Sequence, residues 1–172
     1  LSPGISAEKR SYRDAFVDYV GLDPHRATRQ DLAAAAKSRL EILWDSADRS
    51  TWLDELFSHL VEPNLQSLTL IYDYPECQCA LAKVAKDGQE ESVAKRFEVF
   101  YRGVELANGY WELTDAAIQR ERFESDQHKR REMGVRAMEI DESFLAALDH
   151  GLPECAGIAL GVDRLFMCLE GL

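Results

Sequence analysis

From Ser11 to Leu60 the apolar positions recur at helical spacing. Tyr12, Ala15, Phe16, Tyr19 and Val20 share one face of a helix over Ser11–Val20, which Gly21 ends. After the Asp23-Pro24 turn, Thr28 is a suitable N-cap for an alanine-rich helix over Arg29–Leu43. A third helix is expected over Thr51–Leu60, with Trp52, Leu53, Leu56, Phe57 and Leu60 inward and both Trp44 and Trp52 in the core. Then the period changes. Leu68–Tyr72 reads as a strand, and Lys83–Ser92, polar and carrying Asp87-Gly88, as a loop. Phe97–Tyr101 and Val104–Asn108 read as a hairpin about an Arg102-Gly103 turn. Thr114 is the expected cap of a charged helix reaching Met133-Gly134, with Ala116, the Arg120 stem and Phe123 as its narrow apolar stripe. A helix over Asp141–His150 closed by Gly151, a strand over Cys155–Gly161 and a helix over Asp163–Leu169 complete the chain. Hairpins and helices without βαβ alternation predict an α+β fold with an antiparallel sheet flanked by helices.

The hairpin carries the first candidate chemistry. A two-residue turn pairs Tyr101 with Val104, Phe100 with Glu105 and Val99 with Leu106, with Gly103 at a φ > 0 position. Alternation then puts Glu98 and Glu105 on one face as diagonal neighbours, roughly 7–8 Å apart. Two carboxylates that close repel unless something positive lies between them. Phe97, Val99, Tyr101, Val104 and Leu106 would form the opposite, core-facing side. Asn108-Gly109 is expected to break the strand and to present Tyr110 and Glu112 beyond it.

A second stretch, Gly157-Ile158-Ala159-Leu160-Gly161-Val162-Asp163-Arg164, alternates tiny residues with apolar ones and ends in an arginine. Tiny residues on one face of a strand allow close approach to the backbone. An arginine where strand becomes helix suits a phosphate, being always charged and able to form two parallel hydrogen bonds.

Composition narrows the class. The chain of 172 residues is 46% hydrophobic and 30% charged, enough for one domain with a real core. It has no apolar run near the ~20 residues of a membrane span and no visible secretory signal, so a cytoplasmic, membrane-free protein is expected. Cys77, Cys79, Cys155 and Cys168 show neither CxxC pairs nor zinc spacing. A net charge of −11 argues against a broad nucleic-acid footprint.

Taken together, the two stretches resemble the class II aminoacyl-tRNA synthetases of the lysine type. Gly157–Arg164 is similar to their third signature motif, G-x-G-x-G-x-D/E-R, and Arg96–Leu113 to the preceding metal- and lysine-binding stretch. Tyr72-Asp73-Tyr74-Pro75 and Val61-Glu62-Pro63 fit the same family. Ala159 stands where the synthetases proper have glycine, and this points to the branch that attaches (R)-β-lysine to a lysine of elongation factor P. On the floor of the pocket its methyl would alter selection among close analogues by ~1–3 kcal/mol.

The resemblance implies activation of lysine or β-lysine by ATP, with Mg²⁺ held by Glu98 and Glu105. It implies ATP contacts at Glu105, Leu106, Gly161 and Arg164, with Arg164 and Glu105 as the catalytic pair. Glu112 would pair with the lysine ammonium, Asn108 would contact the substrate, Tyr110 would pack along its methylenes, and Ala159 would shape the pocket. Elongation factor P is the implied acceptor, tRNA being disfavoured by the acidic charge, and the full-length protein is expected to be a homodimer. Two other readings stand beside this one: a lysine–tRNA ligase, and a non-catalytic module that keeps the fold. The family's first and second motifs are not found in the chain. Residues 1–172 are therefore expected to be the C-terminal portion of a catalytic domain, inactive alone. Within it, about 11–66 would be a helical connection and about 67–172 the hairpin and third-motif region.

Overall fold

The computed structural model describes residues 6–42 and 48–171. Its first strand, β1 (Glu8–Ser11), runs directly into helix α1 (Tyr12–Val20). Ser11 caps that helix by accepting from the Asp14 amide at 3.0 Å, and Gly21 closes it in the left-handed region. Thr28 and Asp31 form a reciprocal capping box at the start of α2 (Arg29–Arg39). This helix stops four residues short of the expected Leu43, where Leu40 turns extended; Leu43 and Trp44 lie outside the described residues.

The third helix begins at its Asp48 cap and is α-helical only over Arg49–Leu56, here α3. A wider π turn over Phe57–Val61 and a 3₁₀ turn over Glu62–Asn64 follow. The wider turn keeps both Phe57 and Val61 in the core, and it delivers Glu62 to the sheet.

The sheet has six strands: β1, β2 (Thr69–Pro75), β3 (Val84–Lys86), β4 (Ser92–Tyr101), β5 (Val104–Trp111) and β6 (Ala156–Leu160). Its order is β1-β2-β4-β5-β6, with β3 paired to the start of β4. All pairings are antiparallel except β1 with β2, so one edge of the expected antiparallel sheet is parallel. The expected Lys83–Ser92 loop is instead a small hairpin about Asp87-Gly88. Its short, half-exposed edge strand lacks the apolar alternation by which a strand is read.

The hairpin register follows the expectation for two pairs, Tyr101 with Val104 and Phe100 with Glu105, and then shifts. Val99 pairs with Ala107 instead of Leu106, because a bulge inserts Leu106 into β5. The bulge leaves the Leu106 carbonyl to accept from the Gly161 amide at 2.8 Å, which ties β5 to the end of β6. Asn108-Gly109 does not end the strand. β5 runs through it to Trp111 because Gly109 is flanked by Phe97 on one strand and Ile158 on the other.

The face assignment also changes. Phe100, next to Glu98 by alternation, is fully buried, whereas Phe97, Val99 and Tyr101 are half-buried and Val104 is exposed. The acid-bearing face is therefore the core face over half its width. There Tyr12, Phe16, Trp52, Phe57, Ile71, Tyr74 and Phe100 form one cluster. Tyr12 stacks on Phe57 at 4.7 Å between centroids and lies the same distance from Tyr74. Trp52 is core, as expected.

Past the sheet, α4 (Ala116–Glu132) is capped by Asp115, whose carboxylate accepts from the Ala117 and Ile118 amides; Thr114 is not the cap. Its buried residue is Gln119, and Phe123 meets Phe144 of α5 (Glu142–Gly151) at 6.1 Å. The last helix, α6 (Val162–Glu170), follows β6 directly. No described helix is long and apolar enough to cross a membrane.

Candidate functional site

Pairing and alternation put Glu98, Asn108, Tyr110, Gly157 and Ala159 on one face of the sheet: Glu98 faces Asn108, Asn108 faces Ala159, and Tyr110 faces Gly157. Glu105 and Arg164 meet above the bulge, and Glu112 lies over Gly157. The structure thus brings Glu98, Asn108, Tyr110, Glu112 and Ala159 to one sheet face, with Glu105 and Arg164 together at the bulge and Leu106 and Gly161 joined beside them. What surrounds each acid differs.

Glu98 is almost wholly buried. The Tyr74 hydroxyl donates to its Oε2 at 2.6 Å, and Arg96 binds its Oε1. Arg96 also donates to the Gln78 carbonyl at 3.2 Å and lies over the Tyr74 ring, 4.7 Å from its centroid. Burial and the adjacent Glu98 charge push the Tyr74 phenol well above its ordinary value. Each carboxylate therefore has its own cation, Arg96 at Glu98 and Arg164 at Glu105.

Glu105 is held from two sides. Asn108 donates to Oε1 at 3.2 Å, and the Arg164 guanidinium reaches Oε2 at 3.2 Å and the Glu105 carbonyl at 2.9 Å. Arg164 itself is half exposed. A third carboxylate stands nearby: burial raises Glu62 above its ordinary value, and Glu98 and Glu105 add to the rise, while a hydrogen bond from Ser58 opposes it. Among the described residues no three metal-ligating side chains converge on one point.

Glu112 contrasts with both. Among the described residues no donor or cation reaches its carboxylate. Its backbone is fixed, with its amide donating to the Cys155 carbonyl at 3.0 Å and an isolated bridge to Ala82. Leu106 and Gly161 are joined by the bulge hydrogen bond, and Ala159 is exposed opposite Asn108.

Sequence reasoning passed over Arg96, Tyr74 and Glu62 as parts of this surface. Arg96 was legible, since it lies two residues before Glu98 on a strand and so shares its face. Tyr74 was not, because it reaches Glu98 across a strand pair that contains the Tyr72–Tyr74 irregularity. Glu62 arrives through the π turn, which leaves no periodic trace.

The class II tRNA synthetase family (D, K and N) matches residues 6–172. An elongation factor P–(R)-β-lysine ligase of Haemophilus influenzae (strain PittGG) is 47% identical over 163 residues, covering 94% of this chain and 50% of the relative. The ligase of the same name from Proteus mirabilis (strain HI4320) is 47% identical over 171 residues, 97% of this chain and 52% of the relative. That of Edwardsiella ictaluri (strain 93-146) is 48% identical over 166 residues, 94% of this chain and 50% of the relative. The chain spans about half the length of the curated relatives it matches. With the family matched over nearly all of its residues and the acids and Arg164 gathered on one sheet face, the chain belongs to the class II tRNA synthetases of the D, K and N group.

Proposed function

We propose that this chain is the C-terminal portion of the catalytic domain of an ATP-dependent ligase. The ligase activates lysine or β-lysine as an adenylate and transfers it to a lysine of elongation factor P. The observation that carries this reading is the division of one sheet face into two electrostatic halves. Glu105 and Arg164 stand together at one end, and Glu112, which no donor or cation among the described residues reaches, stands at the other. An amino acid with a side-chain ammonium and a carboxylate to be activated fits between them, ammonium toward Glu112. A desolvated ammonium requires an opposite charge, and Glu112 is the carboxylate left open for one.

In the activation step the amino-acid carboxylate attacks the α-phosphate of ATP and pyrophosphate leaves. The protein's share of such chemistry is positioning and charge compensation. Arg164 would turn from Glu105 to a phosphate oxygen, keeping its bond to the Glu105 carbonyl as an anchor. Tyr110 would line the methylene path and Asn108 would hold Glu105. Glu105 offers a hard oxygen donor of the kind Mg²⁺ takes, and Glu98 would join it by sharing an oxygen now held by Tyr74 or Arg96, the set being completed by phosphate oxygens and water. Bound there, it would offset triphosphate charge. Ala159, facing Asn108, would select among lysine isomers.

Support for the acceptor comes from the relatives, whose names specify elongation factor P and (R)-β-lysine. The family match to tRNA synthetases favours a second reading, a lysine–tRNA ligase. Adenylate formation by the longer protein, scored with α-lysine and β-lysine and then with elongation factor P and tRNA as acceptors, separates them. Preference for β-lysine and transfer to the protein is the expected result; preference for α-lysine and transfer to tRNA overturns it. The 172-residue chain alone is expected to show no ATP–pyrophosphate exchange.

A further inference from the structure

Gly157 and Glu112 are neighbours across the β5–β6 edge, and the space above Gly157 is taken by the Glu112 carboxylate. A Cβ built on Gly157 would fall within 3.0 Å of Glu112 Oε1, with Glu112 Cδ next at 3.6 Å and no other group within 4 Å. The backbone offers no obstacle there, and Gly157 has no positive φ to require glycine. Gly109 is the counter-example one pair along. A Cβ there would meet the Phe97 ring and the Gly157 carbonyl, the latter at 2.5 Å. Glycine is thus needed at 109 by the packing of the sheet itself. At 157 only the flexible end of one side chain requires it.

We infer that Gly157 is a positioning residue that seats the Glu112 carboxylate against the sheet and so sets the length of the ω-amino acid the site accepts. The inference rests on the proposed role of Glu112 as partner of the substrate ammonium. With glycine at 157 the carboxylate lies low, which leaves depth for the full lysine chain. A methyl at 157 lifts it outward along the path of the substrate. The pocket shortens, and an ammonium carried on one methylene fewer becomes the better fit. Discrimination across one methylene is worth roughly 10–200-fold in favourable pockets.

The test is made on the longer protein and compares the unsubstituted form with Gly157→Ala and with Gly157→Ala combined with Glu112→Asp. It uses crystal structures without ligand and equilibrium binding of lysine and ornithine. In Gly157→Ala the β5–β6 register should persist with the Glu112 carboxylate displaced, and the lysine-to-ornithine affinity ratio should fall about tenfold or more. The shorter Asp at 112 should restore lysine preference, a rescue that a purely structural role for Gly157 would not give. An unmoved carboxylate, a displaced β6, an unfolded variant or an unchanged ratio overturns the inference. Failure of the unsubstituted longer protein to bind either amine overturns the proposed role of Glu112 instead, and the seat is then decided by the carboxylate positions alone.

Discussion

Glu98 has one oxygen claimed by a phenol and the other by a guanidinium, and the two partners differ in what their loss costs. Tyr74→Phe leaves one buried acceptor unsatisfied and should destabilise the chain by about 1–3 kcal/mol. Arg96→Met leaves the buried charge without a cation, for which about 3–5 kcal/mol is expected. Urea unfolding at neutral pH checks both, and an equal cost for the two would show that Arg96 acts as one more hydrogen-bond donor. Glu62 gives a prediction of opposite sign. Its folded pKa is raised by burial and by Glu98 and Glu105. The native state therefore holds its proton more tightly than the unfolded chain does, and stability falls as pH rises from the ordinary value of 4.5 through the folded one. Glu62→Gln should stabilise the chain at neutral pH, with the gain vanishing below pH 4.5, where Glu62 is protonated in both states. Melting curves across that window decide it. At this scale the sequence showed the acids and left out what surrounds them. Alternation along one strand places Glu98, but its partner Tyr74 comes from a strand whose pairing contains a local irregularity.

At the scale of the element, the boundaries that local chemistry governs were legible and those that depend on pairing were not. Ser11, Thr28 and Gly21 act at the helix ends where their side chains or φ angles suit them. Asn108-Gly109 reads locally as a strand breaker, yet here glycine is what lets the Phe97 ring lie across the strand. Gly109→Ala should therefore prevent folding at 37 °C, or lower the melting temperature more than any other single substitution in β5. The helix after the sheet offers a finer comparison. Asp115→Ala should cost about 1 kcal/mol in thermal unfolding, and Thr114→Ala much less, because the Asp115 carboxylate accepts from the first-turn amides. A reversed order would return the cap to Thr114. The bulge at Leu106 had no sequence signal at all. It lies in the β4–β5 pairing alone, between Val99 and Phe100, while the β5–β6 pairing runs on in one register.

For the whole molecule, the α+β class and the sheet flanked by helices followed from the alternation of periods, while the parallel edge and the strand order did not. β6 is an edge strand, and neither it nor α6 contains a buried residue. Ile158, Val162 and Phe166 are each about three-fifths exposed or more. Apolar surface of this extent promotes association despite the net charge of −11. Light scattering by the chain should rise with concentration, and Phe166→Glu with Ile158→Lys should suppress the rise; scattering unaffected by both would place the contact elsewhere. Arg164 travels with this outer unit, whereas Tyr74 belongs to the aromatic core and Glu98 and Arg96 are held against it. The candidate site therefore spans two layers of different local stability. Amide protons of β6 should exchange with solvent through small openings well before those of β4. Each such opening carries the guanidinium away from Glu105 and leaves Glu98 and its partners in place.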